Sequence, residues 1–251
     1  MPQQLLNHAA PPRLAISAQP QAAADVEEFI YLISHDVRSS VRALLELPQW
    51  IAEDLEEAGF KLDGPVAESI ALMNRHTRRL DRMLVDLLTY SRVGRMQTVS
   101  KVELSAALDH VLESISLPRG FAIDCRFDCP SIVMGDRDLQ TLLFALIDNA
   151  VKHHDRDEGR ITVTSRRYRG AVYIAVADDG PGIAPEFHDR VFQPMTTLRP
   201  RDDVEGTGLG LANVAKIAGL YEGAVQLLPL PRERGTCVEV QLYPGRMAES
   251  E

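Results

Sequence analysis

The chain has 251 residues, 45% of them hydrophobic, enough to supply the cores of two modest domains or one large one. A formal net charge of -9 excludes a nucleic-acid binder that works through a basic surface, so an anionic ligand must be met by local positive features. Cys125, Cys129 and Cys237 are too few and too unevenly spaced for a zinc cluster or a disulfide framework. With no long apolar run and no basic-then-apolar leader, they predict a cytoplasmic protein that does not span a membrane.

Residues 1–22 mix Pro and Gln with alanines and read as a flexible arm. From Asp25, a candidate N-cap, to about Ala58, apolar residues Ile30, Ile33, Val37, Val41, Leu44, Ile51 and Leu55 recur at spacings of three and four, the mark of a helix with one buried seam. Pro48 inside this run predicts a kink, and Gly59 ends it. Gly64-Pro65 opens a second helix in which Val66, Ile70, Met73, Thr77, Leu80, Leu84 and Leu87 keep the same rhythm to about Arg92. Two long helices and a short loop make an antiparallel hairpin. A hairpin alone has no second layer to cover its seam, so a homodimer forming a four-helix bundle is expected. Periodicity also allows the hairpin to pack on the rest of its own chain. Trp50, with Leu47 and Ile51, belongs either to the lower bundle or to a docking surface, core packing being the favoured reading.

Within the first helix stands Ser34-His35-Asp36-Val37-Arg38-Ser39-Ser40. At about 100° per residue His35 points roughly 160° away from Val37, so it faces outward. Ser39 shares its face, and Asp36 and Arg38 flank it. Taken alone it is an ordinary surface histidine.

After Gly94 the pattern changes. Residues 104–116 read as a helix, 122–127 and 131–134 as short strands, and Asp136 as the cap of a helix carrying Leu139, Leu142, Leu143, Leu146, Ile147 and Val151. Residues 160–167 and 171–178 alternate as strands around Arg169-Gly170. A glycine-, proline- and charge-rich stretch, 180–207, is long for a structureless loop, and such loops are usually functional. A helix over 209–221 and strands over 224–228 and 236–242 close an α+β layer with helices on one face of a mixed sheet.

Three motifs in this half carry chemistry. Asp178-Asp179-Gly180-Pro181-Gly182 ends a strand; its glycines allow close backbone approach to a ligand, and Asp178 can accept a hydrogen bond from an exocyclic amine. Gly206-Thr207-Gly208-Leu209-Gly210 precedes a helix, where backbone N–H groups and the helix dipole hold phosphate. No strand precedes it to make a Rossmann crossover, and no Gly-Lys-Ser/Thr makes a P-loop. Asn149 and Lys152 lie off the apolar stripe of their helix, where one could ligate Mg²⁺ and the other touch phosphate.

In order, the chain thus presents Ser34-His35-Asp36-x-Arg38, Asp148-Asn149-Ala150-Val151-Lys152-His153, Asp178-x-Gly180-x-Gly182, Val191-Phe192-Gln193-Pro194 and Glu205-Gly206-Thr207-Gly208-Leu209-Gly210-Leu211. The series resembles the H, N, G1, F and G2 boxes of a sensor histidine kinase of two-component signalling, over residues from about 25 to 243. The H box and Leu198 to Glu205 look most like the kinases of bacterial phytochromes.

The resemblance implies a dimerisation and histidine phosphotransfer domain over 23–93, a catalytic ATP-binding domain of Bergerat (GHKL) type over 101–245, and a tail over 246–251. It implies a protein-histidine kinase that uses ATP and Mg²⁺, phosphorylates itself on His35 and passes the phosphoryl group to an aspartate of a response regulator. Asp36 would be the acid/base beside the attacking imidazole. Asn149 would hold Mg²⁺, and Asp178 would read the adenine amino group. Lys152, His153, Gly180, Gly182, Thr207 and Leu209 belong to the nucleotide site, where Gly206, Gly208 and Gly210 pass beside the phosphates. Arg201, in the lid, is the candidate for γ-phosphate stabilisation. A separate sensor protein, or the arm, would bring the signal.

Three positions depart from the family pattern. Ser40 replaces a usual proline, so the bend it gives either comes from elsewhere, with Pro48 the candidate, or is absent. Ser39 stands where many members carry the Thr or Asn that positions a hydrolytic water, so a phosphatase activity would rest on it. Ala145 replaces a second polar residue of the N box, so Mg²⁺ would depend on Asn149 and water. Two other classes share these features: a non-catalytic phosphotransfer or scaffold protein of the same fold, and a GHKL ATPase or serine kinase with the hairpin as a dimeriser only.

Overall fold

The computed structural model describes residues 20–95, 97–198, 206–230 and 234–244, with side chains from residue 37 onward. Helix α1 (Pro20–Glu57) and helix α2 (Gly64–Arg92) form the hairpin. The arm expected over 1–22 lies outside the described residues except for 20–22, which already belong to α1. Thus α1 starts before Asp25, the expected cap: Pro20 suits a first helical position and the alanines after it are strong helix formers. The helix continues through Pro48. It ends at Gly59, whose φ of 83° is accompanied by bonds from Gly59 N to Glu56 O (3.0 Å) and from Phe60 N to Leu55 O (2.9 Å), a Schellman closure. Arg38 Nε lies 3.8 Å from Asp81 Oδ1, which fixes the register of the two helices.

Only part of the predicted seam closes within one chain. Val41, Leu84 and Leu88 are buried. Val37, Leu44 and Ile51 on α1, and Val66, Met73 and Leu80 on α2, stay exposed, each set at seven-residue intervals. Trp50 is 53% exposed, so its assignment to core packing fails within the single chain. Among the described residues, no second layer of the same chain covers these positions.

The second half begins with β1 (Val99–Glu103), α3 (Leu104–Ser114), β2 (Gly120–Phe127), β3 (Ser131–Gly135) and α4 (Asp136–Lys152). It continues with β4 (Glu158–Tyr168), β5 (Ala171–Asp178), α5 (Gly210–Leu220), β6 (Ala224–Leu227) and β7 (Cys237–Leu242). One sheet has the order β2-β4-β5-β7-β6, with β2 parallel to β4 and every other pair antiparallel. A second, small sheet pairs β1 with β3, Val99 opposite Gly135 and Glu103 opposite Ser131. Gly135 is the N-cap of α4, and Asp136 is its first residue, not its cap.

Helices α3, α4 and α5 cover one face of the large sheet. Leu108 and Val111 of α3, Leu142, Leu143, Leu146 and Ile147 of α4, and Val214 and Ile217 of α5 meet the inward residues Ile161, Val163, Ile174, Val176, Val238 and Val240. The period of two in β4 and β5 places these on one side, as half-buried strands require. On the opposite face Arg166 stacks 4.0 Å from the centre of the Tyr173 ring and pairs with Glu239 at 2.7 Å. A short linker joins the halves: Val93 is buried, and Gly94 N donates to Asp138 Oδ1 at 3.0 Å.

Candidate functional site

The three-four spacing that sends the leucines of α4 into the core leaves Asp148, Asn149 and Lys152 on its opposite edge. There they face a cavity of about 690 Å³ that is closed on its far side by α2. Asn149, Lys152, His153, Asp178, Gly182, Gly206, Thr207, Gly208 and Gly210 all line it. Residues as far apart in sequence as Asn149 and Gly210 are therefore brought to one wall.

Lys152 Nζ lies 2.6 Å from Asp148 Oδ2, one turn back on α4. Asp178 closes β5. Its Oδ1 accepts from Gly180 N (2.9 Å) and Thr236 N (3.1 Å), which fixes the carboxylate plane. Burial pushes the Asp178 carboxyl above its usual range, with those two N–H groups pulling the other way. Gly180 does not line the cavity; it holds Asp178. Leu209 does not line it either. It is buried, and its N–H donates to Thr207 Oγ1 at 3.3 Å. Gly208 has φ 74°, and a Cβ there would fall 2.5 Å from Thr196 O, so only glycine lets the turn lie against that segment.

The neighbouring Asp179 has a different task. Its Oδ1 accepts from Arg160 N (2.7 Å) and meets His154 Nε2 (3.2 Å). On the other side of the ring, His154 Nδ1 lies 3.2 Å from both the N and the O of Arg156, which holds the imidazole against Asp179. Burial acts to raise the Asp179 carboxyl, but the Arg160 and His154 donors hold it below the usual range.

Several cavity residues were not singled out from the sequence. On α2, Arg75, Arg79, Arg82 and Asp86 line it at spacings of four, three and four. That spacing was legible, but a charged helix face without a known partner reads as solvated. Thr207 Oγ1 donates to Asp86 Oδ2 at 2.5 Å. Burial raises the Asp86 carboxyl, and the Thr207 hydroxyl opposes it. Lys216 of α5 binds Tyr90 O at 2.7 Å and sits 4.4 Å from the centre of its ring. Asn213, one turn into α5, is 5% exposed and lines the cavity, and its Oδ1 is buried without a hydrogen-bond partner.

His35 and Asp36 lie in α1, in a stretch whose side chains are outside the described residues, and Arg201 lies outside them altogether. The backbone still gives the level of His35. Arg38 meets Asp81, so in an antiparallel hairpin His35 lies about one turn further along α2, level with Leu84 and hence with the turn that runs from Arg82 to Asp86. Ser39 follows on the next turn.

Among the described residues no three His, Cys, Asp or Glu side chains converge as metal ligands. The cavity wall nevertheless fits a divalent ion carried in by a polyanion. Asn149 offers an amide oxygen of the kind hard cations take, and the orphaned Asn213 amide lies on the same wall. No helix of the described residues is long and apolar enough to cross a membrane.

Residues 135–246 match the family model described as histidine kinase-, DNA gyrase B-, and HSP90-like ATPase. The methanogenesis regulatory histidine kinase FilI of Methanothrix harundinacea is 30% identical over 223 residues, 86% of this chain and 24% of that protein. The sensor-like histidine kinase SenX3 of Mycobacterium tuberculosis is 30% identical over 81% of this chain and 50% of its own length. Cyanobacterial phytochrome A of Nostoc is 27% identical over 80% of this chain and 26% of its length. The chain therefore spans half or less of the length of these relatives. Among solved structures, full-length ShkA in complex with AMPPNP shares the fold at a TM-score of 0.66 and 24% identity, over 90% of this chain and 47% of that one. The mycobacterial sensor histidine kinase MprB aligns at a TM-score of 0.51 and 25% identity, over 60% of this chain and 100% of that one. With this sandwich, this cavity and these relatives, the chain belongs to the sensor histidine kinases, and its residues 135–246 form their GHKL-type ATPase domain.

Proposed function

We propose that the chain is a homodimeric, ATP-dependent protein-histidine kinase that phosphorylates itself on His35 and transfers the phosphoryl group to an aspartate of a response regulator. The observation that carries this reading is the cavity between α2 and the sandwich. It gathers Asn149, Asp178, Gly182, Thr207 and Gly208 on one wall and is closed by α2, whose hairpin partner bears His35 at the same level. Residues 23–93 act as the dimerisation and phosphotransfer unit, and residues 101–245 as the catalytic unit.

Phosphoryl transfer asks chiefly for alignment and charge neutralisation. Asp178, its carboxylate oriented by Gly180 and Thr236, accepts from the exocyclic amine of adenine. Gly206, Gly208 and Gly210 leave backbone N–H groups open to phosphate at the start of α5. Asn149 would hold the Mg²⁺, which would offset charge on the phosphates, while Lys152, His153 and the lid's candidate Arg201 would complete the site. The lone pair of the His35 imidazole forms a bond to the γ-phosphorus as the bond to the bridging oxygen breaks and ADP leaves. Asp36 takes the proton from the other ring nitrogen. Ser39, one turn from His35, is the candidate to orient water for dephosphorylation.

Incubation with γ-labelled ATP tests the reading. Wild type should acquire label that acid removes and alkali does not, and His35→Gln should acquire none. Label retained by His35→Gln, or label stable to acid, overturns it.

A further inference from the structure

The cavity has an uneven distribution of charge. Among the described residues, its arginine and lysine lining comes from two sources: Lys152 on α4, and Arg75, Arg79 and Arg82 on α2. Lys152 already lies against Asp148 at 2.6 Å, and Asp148 and Asp178 add negative charge to the same wall. The sandwich alone is therefore a poor host for a polyphosphate carrying several negative charges. The α2 arginines make up the difference.

Their placement is specific. Arg75, Arg79, Arg82 and Asp86 share one face of α2, opposite the apolar seam formed by Met73, Thr77, Leu80 and Leu84. Asp86 ends that row, and its carboxylate accepts from Thr207 in the glycine-rich turn. The row thus meets the glycine-rich turn, where phosphate is expected, at its Asp86 end, and its arginines line the cavity from there back to Arg75. Arg79 and Arg82 are half-buried there, their stems lying along the cavity wall.

We propose that the α2 arginine row, Arg79 and Arg82 above all, is a phosphate-binding part of the nucleotide site, so that the polyphosphate is gripped from the hairpin and the base from the sandwich. This rests on the nucleotide reading above and deepens it. Guanidinium groups bind phosphate oxygens through charge-assisted, often paired hydrogen bonds. The nucleotide is then a bridge between the two halves, and by linkage anything that lifts α2 from the sandwich weakens triphosphate binding by the same factor by which triphosphate holds α2 down.

The test is calorimetric titration of the full chain with AMPPNP, ADP and adenosine, each in the presence of Mg²⁺. Arg79→Gln/Arg82→Gln is compared with wild type, and the exposed Arg126→Gln on β2 serves as a control for charge alone. The double variant should bind AMPPNP at least about tenfold more weakly, with ADP between, while adenosine affinity stays within about twofold and Arg126→Gln changes none of the three. Arg79→Lys/Arg82→Lys should recover part of the loss. Unchanged AMPPNP affinity overturns the proposal, as does an equal loss for AMPPNP and adenosine, which would mean a structural role only. Wild type that binds neither adenosine nor AMPPNP overturns the nucleotide reading itself, and this inference with it.

Discussion

Asp178 carries two opposed demands. Its carboxylate must sit beside a nucleotide base, yet burial penalises the charged form and raises its affinity for a proton. A buried acid with a raised folded-state pKa adds stability below its unfolded value, near 3.8, and that stability is lost as pH rises through the raised value. Asp178→Asn keeps an oxygen for the Gly180 and Thr236 donors and removes the charge. Its unfolding free energy should therefore gain on wild type as the pH is raised above about 4, measured by denaturant titration at a series of pH values. Adenosine affinity should fall about tenfold or more in the same variant. Parallel stability curves would refute the burial account. Asp179 is held low, so its contribution has the opposite sign and is lost on acidification. The sequence distinguished the roles of these adjacent aspartates only through the family likeness; the His154 and Arg160 donors that separate them come from β4 and the turn before it.

Among the elements, the helices were the most legible because a three-four rhythm survives any tertiary context. Strand β1 was not, since its five residues offer only Val99 and Val102 as apolar positions, and its pairing with β3 decides its conformation. That small sheet matters because its end is a joint. Gly135 N donates to Tyr221 Oη at 2.8 Å, Tyr221 Oη donates to Asp138 Oδ2 at 2.9 Å, and Asp138 Oδ1 accepts from the linker at Gly94. Tyr221 is fully buried and Asp138 is 2% exposed, so no water replaces a lost partner cheaply. Tyr221→Phe strands the Gly135 N–H and one Asp138 oxygen at once and should cost about 1–3 kcal/mol in denaturant unfolding. A loss below about 0.5 kcal/mol would show that the joint relaxes without it. The arginine face of α2 was legible as spacing but not as function, because a sequence cannot show what lies opposite a charged helix face.

For the whole molecule, the two exposed stripes, Val37-Leu44-Ile51 and Val66-Met73-Leu80, have the heptad spacing of helices that pack in bundles. One hairpin covers neither. A second copy offers the same two stripes, so a two-fold four-helix bundle satisfies both. Leu44→Asp/Ile51→Asp should turn a dimer into a monomer by light scattering while leaving adenosine binding intact. A mass equal to wild type would refute the bundle.

Trp50 gives that equilibrium a colour. It is the chain's single tryptophan and stands exposed beside Ile51, so its indole reports on one place only. Dilution, or the double aspartate variant, should move its emission to the red as the ring passes from a protein neighbour into water.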